Sequence, residues 1–175
     1  MQSVPRLSTI GVYGFSEAEF FSTLSEARVE LFCDVRARRG VRGSQYAFAN
    51  SRRLQTRLAE MGIRYLHLPE LAPSDAMRRA QYEEDARLGV GQRTRQRLGS
   101  AFSDAYARER LEGLEASTFV RTHFADARSV VLFCVEGAAR ACHRSLVADH
   151  LAAALGIEIE HLEPSIIAAR RSTPV

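Results

Sequence analysis

The sequence has no lysine, only three cysteines and no long hydrophobic run. All 24 basic residues are therefore arginines, and we attribute this bias mainly to a genome whose base composition favours arginine and alanine codons. The odd number of cysteines (Cys33, Cys134 and Cys142) argues against a disulfide framework, so we expect reduced thiols and a cytoplasmic location. No apolar run reaches the roughly 18 residues that a membrane-spanning helix needs, so we expect no membrane partner.

The length and the two ends of the chain set further expectations. Residues 1–14 lack the cationic start and the unbroken apolar stretch of a signal peptide. The arginine-rich C-terminus after Pro164 is expected to fray. With 175 residues, of which 46% are hydrophobic and 26% charged, the chain has the composition of a globular protein. We predict one domain over residues 1–175.

Positive charge is concentrated in one part of the chain, although the formal net charge is only +3. Between Val35 and Ala59 there are seven arginines and no aspartate or glutamate. Arginine carries a planar fork of hydrogen-bond donors that matches phosphate and carboxylate groups. The segment therefore predicts an anionic partner, either a small molecule or a nucleic acid, although a solvated helix face has a similar composition.

Short apolar segments alternate with amphipathic ones along the chain. The patterns predict strands over residues 8–14, 29–35, 63–68, 129–135 and 157–162. They predict helices over residues 16–27, 51–61 and 143–155, with Ser16 and Asn50 as the N-caps of the first two. This alternation predicts an α/β fold with a mostly parallel sheet of about five strands and helices on both faces, a Rossmann-like three-layer sandwich.

The middle of the chain departs from this alternation. Residues 70–100 contain few large apolar side chains, many arginines and the flexible stretch 88–93. We predict that they form a long excursion with some helix, which is flexible or acts as a lid. Residues 100–125 are predicted to be helical, and residues 157–162 to form a half-exposed edge strand.

Reactive side chains concentrate where the predicted strands end. In an open parallel sheet, ligands bind outside the carboxyl ends of the strands. The side chains at or just after these ends are Tyr13 and Gly14, then Asp34 and Arg36, then His67, and finally Cys134, Glu136 and the turn Cys142–Arg144. Their arrangement predicts a ligand site at this edge of the sheet.

One interpretation of the last loop is a cysteine-dependent phosphatase. Cys134 and Arg140 are separated by five residues, which is the spacing of a phosphate-binding loop between a strand and a helix. Two residues argue against it, because Glu136 would bring a carboxylate into an anion cradle and Ala141 replaces the usual hydroxyl residue. Phosphatase or rhodanese-like sulfur chemistry at Cys134 or Cys142 stays as an alternative.

A second interpretation is a metal site. Cys134, Glu136, Cys142 and His143 are all zinc-ligand types. Adjacent residues such as Cys142 and His143 rarely bind one ion, however, and no further Cys or His motif completes a structural set. We therefore predict no metal site, and the sequence does not identify a cofactor.

A third interpretation follows from the start of the last long helix. Its free amides and its dipole favour an anion near His143 and Arg144. The Cys142 thiol at this position could have a lowered pKa. Structural roles compete with these, since the cysteines can be small buried hydrophobic residues and Asp34 and Arg36 can form a pair that braces the sheet edge.

Four sequence motifs occur in order: TIGVYGFSEAEFFSTL (9–24), CDVRARRGVRGSQYAF (33–48), GIRYLHLPEL (62–71) and CVEGAARACHRSLVADHL (134–151). This set resembles the family called domain of unknown function 488 (DUF488). The resemblance implies a compact α/β protein in which the D-V-R and C-H-R triplets face each other at the sheet edge. The site residues that it implies are Asp34, Arg36, Glu136, Cys142, His143 and Arg144. The loop after Arg36 departs from the family pattern, because it lacks a proline and a Ser-Arg pair.

These observations favour an enzyme-like domain that binds a phosphorylated or otherwise anionic ligand, such as a nucleotide or a nucleic-acid end. In this hypothesis Arg36 and Arg144 hold the anion with Tyr13 and Gly14 nearby, and the catalytic groups are Asp34, Glu136, Cys142 and His143. The alternative is a non-catalytic module that binds nucleic acid or protein through the basic segments 35–59 and 86–98. The sequence does not predict the substrate, the reaction or the oligomeric state.

Overall fold

The computed structural model describes residues 4–165, and a five-stranded parallel sheet forms their centre. The strands are β1 (Arg6–Ile10), β2 (Leu31–Asp34), β3 (Arg64–His67), β4 (Ser129–Phe133) and β5 (Ile159–Leu162). Their order across the sheet is β3-β2-β4-β1-β5. Strand β4 is central and buried throughout, because its continuous apolar sequence suits a strand that is covered on both faces. The half-exposed edge strand predicted near the C-terminus is confirmed as β5.

Within residues 4–165, six α-helices cover the two faces of the sheet. They are α1 (Glu17–Glu26), α2 (Ser51–Glu60), α3 (Asp75–Leu88), α4 (Ser100–Tyr106), α5 (Ala116–His123) and α6 (His143–Leu155). On one face, α1 and α2 bury aromatic and leucine side chains such as Phe20 and Leu54 against Phe133. On the other face, α3 to α6 form a second apolar cluster around Leu132. The predicted α/β sandwich of three layers is therefore confirmed.

The helix starts agree only in part with the sequence predictions. Ser16 caps α1 as expected, since its hydroxyl accepts a hydrogen bond from the Glu19 amide at 3.2 Å. Asn50 occupies the N-cap position of α2 as predicted, but its side chain makes no capping hydrogen bond. Its Oδ1 atom accepts a hydrogen bond from the Val41 amide at 2.7 Å instead, because the loop after β2 turns back against the helix start.

The middle of the chain has more regular structure than its composition indicates. Helix α3 covers 14 residues, begins at the cap Ser74 and ends at Gly89, whose φ of 67° is left-handed. The helical segment predicted over 100–125 is interrupted, because a π-helical turn (Ala107–Leu111) and a short loop separate α4 from α5. Within residues 4–165, no helix has both the length and the apolar character that crossing a bilayer requires. The C-terminal arginines expected to fray lie outside the described residues.

Candidate functional site

A cavity of about 960 Å³ opens at the carboxyl edge of the sheet, where the sequence places a ligand site. The segments that follow β1, β2 and β4 contribute Tyr13, Arg36 and Cys134 to its wall. Helix α3 and the loop over residues 91–95 form the opposite side. The cavity is therefore bounded by the sheet edge and by the segment that the sequence identifies as an excursion.

Two cysteines and a histidine lie together at the floor of this cavity, and we call them the thiol–imidazole cluster (Cys134, Cys142 and His143). The two Sγ atoms and one ring nitrogen of His143 all lie within 4.8 Å of one another. The His143 Nδ1 atom is 3.8 Å from the Cys142 Sγ atom. The His143 Nε2 atom is 3.0 Å from the Val35 carbonyl oxygen. Because a carbonyl oxygen only accepts, Nε2 carries a proton and Nδ1 faces the sulfurs.

Local backbone geometry explains how adjacent residues reach one point. Cys134 directly follows β4, so its side chain lies at the carboxyl end of the central strand. Cys142 has an extended backbone, with φ −138° and ψ 142°, and His143 is the first residue of α6. The change of backbone direction at this junction places both side chains on the same side. The donor atoms of Cys142 and His143 therefore lie close together, although adjacent residues rarely bind one ion.

Glu136 is a second buried polar group at the floor of the cavity, with only 7% of its surface exposed. Its Oε1 atom accepts hydrogen bonds from Gln92 at 3.1 Å and from Arg95 at 3.2 Å. Its Oε2 atom is buried and has no hydrogen-bond partner within residues 4–165. Burial, together with the negative charge of Cys142, raises the pKa of Glu136 to about 7.

Arg95 and Gln92 are hydrogen-bond partners of Glu136 that the sequence interpretation missed. Arg95 is buried and forms ion pairs with Asp85 at 2.6 Å and with Glu136 at 3.2 Å. It also donates hydrogen bonds to the Ala141 carbonyl oxygen. These contacts tie residues 85–95 to the loop that carries Glu136. In the sequence, Arg95 is one of many arginines in an excursion, and no local signal distinguishes it.

The electrostatics of the thiol–imidazole cluster favour charge separation. A hydrogen bond to the Cys142 sulfur, together with burial, raises the pKa of the Cys134 thiol well above its ordinary value. Burial alone would raise the pKa of Cys142, but the hydrogen bond from Cys134 and the positive charges of His143 and Arg144 hold it well below its ordinary value. Burial opposes protonation of His143, yet the neighbouring Cys142 sulfur raises the pKa of this imidazole. The cluster thus favours a Cys142 thiolate beside a His143 imidazolium.

Arg144 supports the loop of the site from within the core and has only 1% of its surface exposed. Its guanidinium donates to the Glu136 carbonyl oxygen at 2.6 Å and to the Gly137 carbonyl oxygen at 3.1 Å. The same carbonyl group packs on Gly11, where an added Cβ atom would lie 1.9 Å from the Glu136 oxygen. These donors are therefore directed at backbone carbonyl groups, whereas the sequence interpretation directs them at a bound anion.

Asp34 and Arg36 form a buried ion pair with 0% and 3% of their side-chain surfaces exposed. The Arg36 Nε and Nη2 atoms donate to the two Asp34 carboxylate oxygens at 2.8 and 2.7 Å. Its Nη1 atom donates to the Ala49 carbonyl oxygen at 3.0 Å, and the guanidinium lies over the Phe133 ring. Tyr65 donates its hydroxyl to Asp34 at 2.7 Å. The pair braces the sheet edge, which is the structural role considered for these two residues.

Tyr13 and Gly14 occupy different positions relative to the cavity. Tyr13 lies in its wall, and the guanidinium of Arg93 lies 5.2 Å from the Tyr13 ring centre and 5.4 Å from that of Tyr46. Burial raises the pKa of Tyr13. Gly14 is exposed, has a left-handed φ of 97°, and its amide is 3.5 Å from the Tyr46 hydroxyl. The structure thus brings Tyr13 into the site and leaves Gly14 at its outer margin.

Arginine side chains dominate the charge of the cavity wall. Seven arginines line it, namely Arg36, Arg38, Arg42, Arg78, Arg79, Arg93 and Arg95. Among residues 4–165 only two carboxylates line it, Asp75 and Glu136, and Arg78 forms an ion pair with Asp75. Arg140 is exposed and lies outside the lining, so the Cys134 and Arg140 pairing of a phosphatase loop is not assembled.

Fold and site together define a three-layer α/β protein with a buried thiol, imidazole and carboxylate group beneath a cationic cavity. The family described as domain of unknown function DUF488 matches residues 16–151, which include β2, β3, β4 and the whole floor of the cavity. The chain belongs to this family, and the resemblance seen in its four motifs is confirmed. Comparison with curated proteins and with solved structures gave no match.

Proposed function

We propose that the protein binds an anionic, phosphate-bearing ligand in the cavity and acts on it through the polar groups at the cavity floor. The observation that carries the proposal is the set of four exposed arginines in the cavity lining, Arg38, Arg42, Arg79 and Arg93. The other three arginines of the lining are paired with carboxylates of the protein. Guanidinium groups form paired, charge-assisted hydrogen bonds with phosphate oxygens. A volume of about 960 Å³ lies within the range of ligand pockets and can hold a nucleotide or the end of a nucleic-acid strand.

In this proposal, the arginines that bind the anion are not the ones that the sequence indicates. Arg36 and Arg144 already donate to protein acceptors, so their role in this proposal is to position the site. The exposed arginines of the wall are better placed to meet an anion; they are Arg38, Arg42, Arg79 and Arg93. They come from the loop after β2, from α3 and from the loop after α3. A ligand that bridges these segments would hold residues 78–95 against the sheet edge.

The reactive part of the proposal is at the cavity floor. Cys142, His143 and Glu136 all line the cavity, although each is almost completely buried from bulk solvent. A ligand whose anionic end is held by the arginines therefore has another part directed toward groups that can exchange protons or bind electrophiles. Asp34 does not line the cavity, and the proposal gives it no direct contact with the ligand.

The rival function is a non-catalytic module that uses the basic segment 35–59 as a nucleic-acid surface. Three arginines of that segment are already paired with carboxylates: Arg36 with Asp34, Arg53 with Glu17, and Arg57 with Glu60. The segment therefore offers less unpaired positive charge than its composition indicates. Backbone-driven binding of nucleic acid would fall steeply with salt concentration, whereas a ligand enclosed in the cavity would be less sensitive.

The test is a binding titration with nucleoside mono-, di- and triphosphates and with a short oligonucleotide that carries a 5′-phosphate. We expect Arg79→Ala and Arg38→Ala each to weaken binding by about 10-fold or more, since a hydrogen bond to a charged group contributes about 1.5–3 kcal/mol. Arg52→Ala is the matched control, because Arg52 is exposed, belongs to the same basic segment and lies outside the cavity wall.

Two results would overturn this proposal. One is that no member of the panel binds to the wild-type protein. The other is that Arg52→Ala weakens binding as much as the cavity variants do and that binding falls steeply with salt, which would favour the surface module.

A further inference from the structure

The thiol–imidazole cluster has the composition and spacing of a set of metal ligands. Zinc prefers thiolate sulfur and imidazole nitrogen, and tetrahedral zinc with bonds of about 2.0–2.3 Å requires neighbouring ligand atoms to be about 3.5–3.8 Å apart. The Cys142 Sγ atom and the His143 Nδ1 atom are 3.8 Å apart. The Cys134 Sγ atom lies within 4.8 Å of both. Small side-chain rotations would therefore bring all three onto one ion.

The orientation of His143 is independent support. Metal-binding histidines usually donate their other ring N–H group to a carboxylate or a backbone carbonyl group, which fixes the ring and the nitrogen that binds the metal. Here the His143 Nε2 atom donates to the Val35 carbonyl oxygen at 3.0 Å. This bond holds the ring against the end of β2 and directs Nδ1 toward the two sulfurs.

The unpartnered oxygen of Glu136 is a third observation. Oε2 is buried and has no donor within the described residues 4–165, although the neighbouring Oε1 has two. Leaving a buried acceptor unsatisfied costs about 1–3 kcal/mol, and more for a charged group. Glu136 and Cys142 both line the floor of the cavity. A water molecule bound to a metal ion beside Cys142 would supply the donor that Oε2 lacks.

We propose that Cys134, Cys142 and His143 bind a zinc ion at the floor of the cavity, with a water molecule in the fourth position hydrogen-bonded to Glu136. Three protein ligands and one exchangeable position are the arrangement of catalytic zinc sites, whereas structural sites have four protein ligands. Zinc binding would displace the proton of the Cys134 thiol, and the two thiolates would then balance the charge of the ion. The open position faces the arginine-lined cavity.

The proposal relies on the proposed function only for what meets the open position, and zinc binding itself is tested without any nucleotide. Protein stripped with a chelator is titrated with zinc alone in competition with a chromophoric chelator. We expect one zinc ion per chain. Cys134→Ser and Cys142→Ser should weaken zinc binding by more than about 100-fold, because loss of outer-shell partners alone costs 10–100-fold.

Cys33→Ala is the matched control for these variants. Cys33 is buried on the same face of the sheet as Cys134 and Cys142, but it is not part of the cluster. The Cys33→Ala variant should bind zinc as the wild type does. Circular dichroism and thermal unfolding of each metal-free variant separate loss of ligands from loss of the fold.

A second measurement needs no variants. Cobalt(II) added to the wild-type protein should give the strong visible absorption of a tetrahedral site and a near-ultraviolet sulfur-to-cobalt charge-transfer band, both removed by zinc. Absence of the charge-transfer band, or zinc binding that Cys33→Ala and Cys142→Ser retain equally, would overturn the zinc site. Zinc binding without binding of any phosphate ligand would leave the zinc site standing and remove the proposed function.

Discussion

Gly11 and Glu136 pack so closely that a Cβ atom at position 11 would lie 1.9 Å from the Glu136 carbonyl oxygen. The Gly11 backbone follows β1, and Glu136 belongs to the loop after β4. The contact therefore fixes the height of that loop above the sheet. The same carbonyl group accepts a hydrogen bond from Arg144 at 2.6 Å. The position of the cavity floor thus depends on Gly11, which has no side chain, and on Arg144, which has a long one.

Gly11→Ala should destabilise the protein and displace the loop that carries Glu136. The obstacle is backbone, which cannot rotate away, and overpacking of a core costs typically about 1–3 kcal/mol. Denaturant unfolding measures the change in the free energy of unfolding. Gly113→Ala is the control, because nothing lies within 4 Å of a Cβ atom there. Equal stability of the two variants would contradict the close packing.

Arg144→Ala should destabilise the protein without acting on a ligand directly. It leaves the Glu136 and Gly137 carbonyl groups without their donor, and each buried unsatisfied group costs about 1–3 kcal/mol. Arg140→Ala, four residues earlier and exposed, is the comparison and should unfold like the wild type. If Arg144→Ala kept full stability and only lost affinity for anions, Arg144 would be a ligand-binding residue as the sequence interpretation has it.

Arg36→Ala should cost about 3–5 kcal/mol in the free energy of unfolding, since it leaves the buried Asp34 carboxylate without its cation. Arg53→Ala removes an exposed ion pair with Glu17 and should cost only about 0–1 kcal/mol. Thermal and denaturant unfolding of the two variants give the comparison. A similar small loss in both would mean that the Asp34–Arg36 pair does not brace the sheet edge.

The stability contributed by Glu115 should depend on pH. Hydrogen bonds from Thr118 and Ser117 at the start of α5 lower its pKa from 4.5 to about 2. A carboxylate with a lowered pKa stabilises the folded state above its ordinary pKa, and this contribution is lost as the pH falls toward the folded-state value. Glu115→Gln should therefore lower the Tm at pH 7, and the difference should shrink between pH 4.5 and pH 2.

Glu112→Gln is the control for this pH series. Glu112 is also exposed and lies just before α5, so it has a similar setting without the helix-capping position. This variant measures the effect of removing one exposed carboxylate near α5 that does not cap the helix. A Glu115→Gln difference that is constant from pH 7 to pH 2 would contradict the capping role of the carboxylate.

The sheet and the cavity floor could be predicted because their signals are local. The run SVVLFCV is apolar at every position but the first, as a strand covered on both faces requires, and this identified the central strand. The location of Cys142 and His143 at the sheet edge could be predicted, because they lie where the loop after β4 meets the start of α6. Their convergence could not be predicted, since it depends on the backbone angles at one junction and on the Val35 carbonyl group.

Contacts between residues that are far apart in the chain could not be predicted from the sequence. Arg95 bonds to Glu136, which is 41 residues away in the chain, and the sequence contains no sign of that contact. The roles of Arg36 and Arg144 depended in the same way on which acceptors the fold brings near them. Arginine predicts an anionic partner, but it does not predict whether that anion is a carboxylate of the same protein.

The groups of the cavity floor come from one continuous stretch of 11 residues, 134–144, held together by the Arg144 hydrogen bonds. The exposed arginines of the wall come from separate segments around residues 38–42, 79 and 93. In the proposed function, reaction and ligand choice would thus be encoded in different parts of the chain. Substitutions of the exposed arginines would then change what is bound while the groups of the cavity floor stay in place.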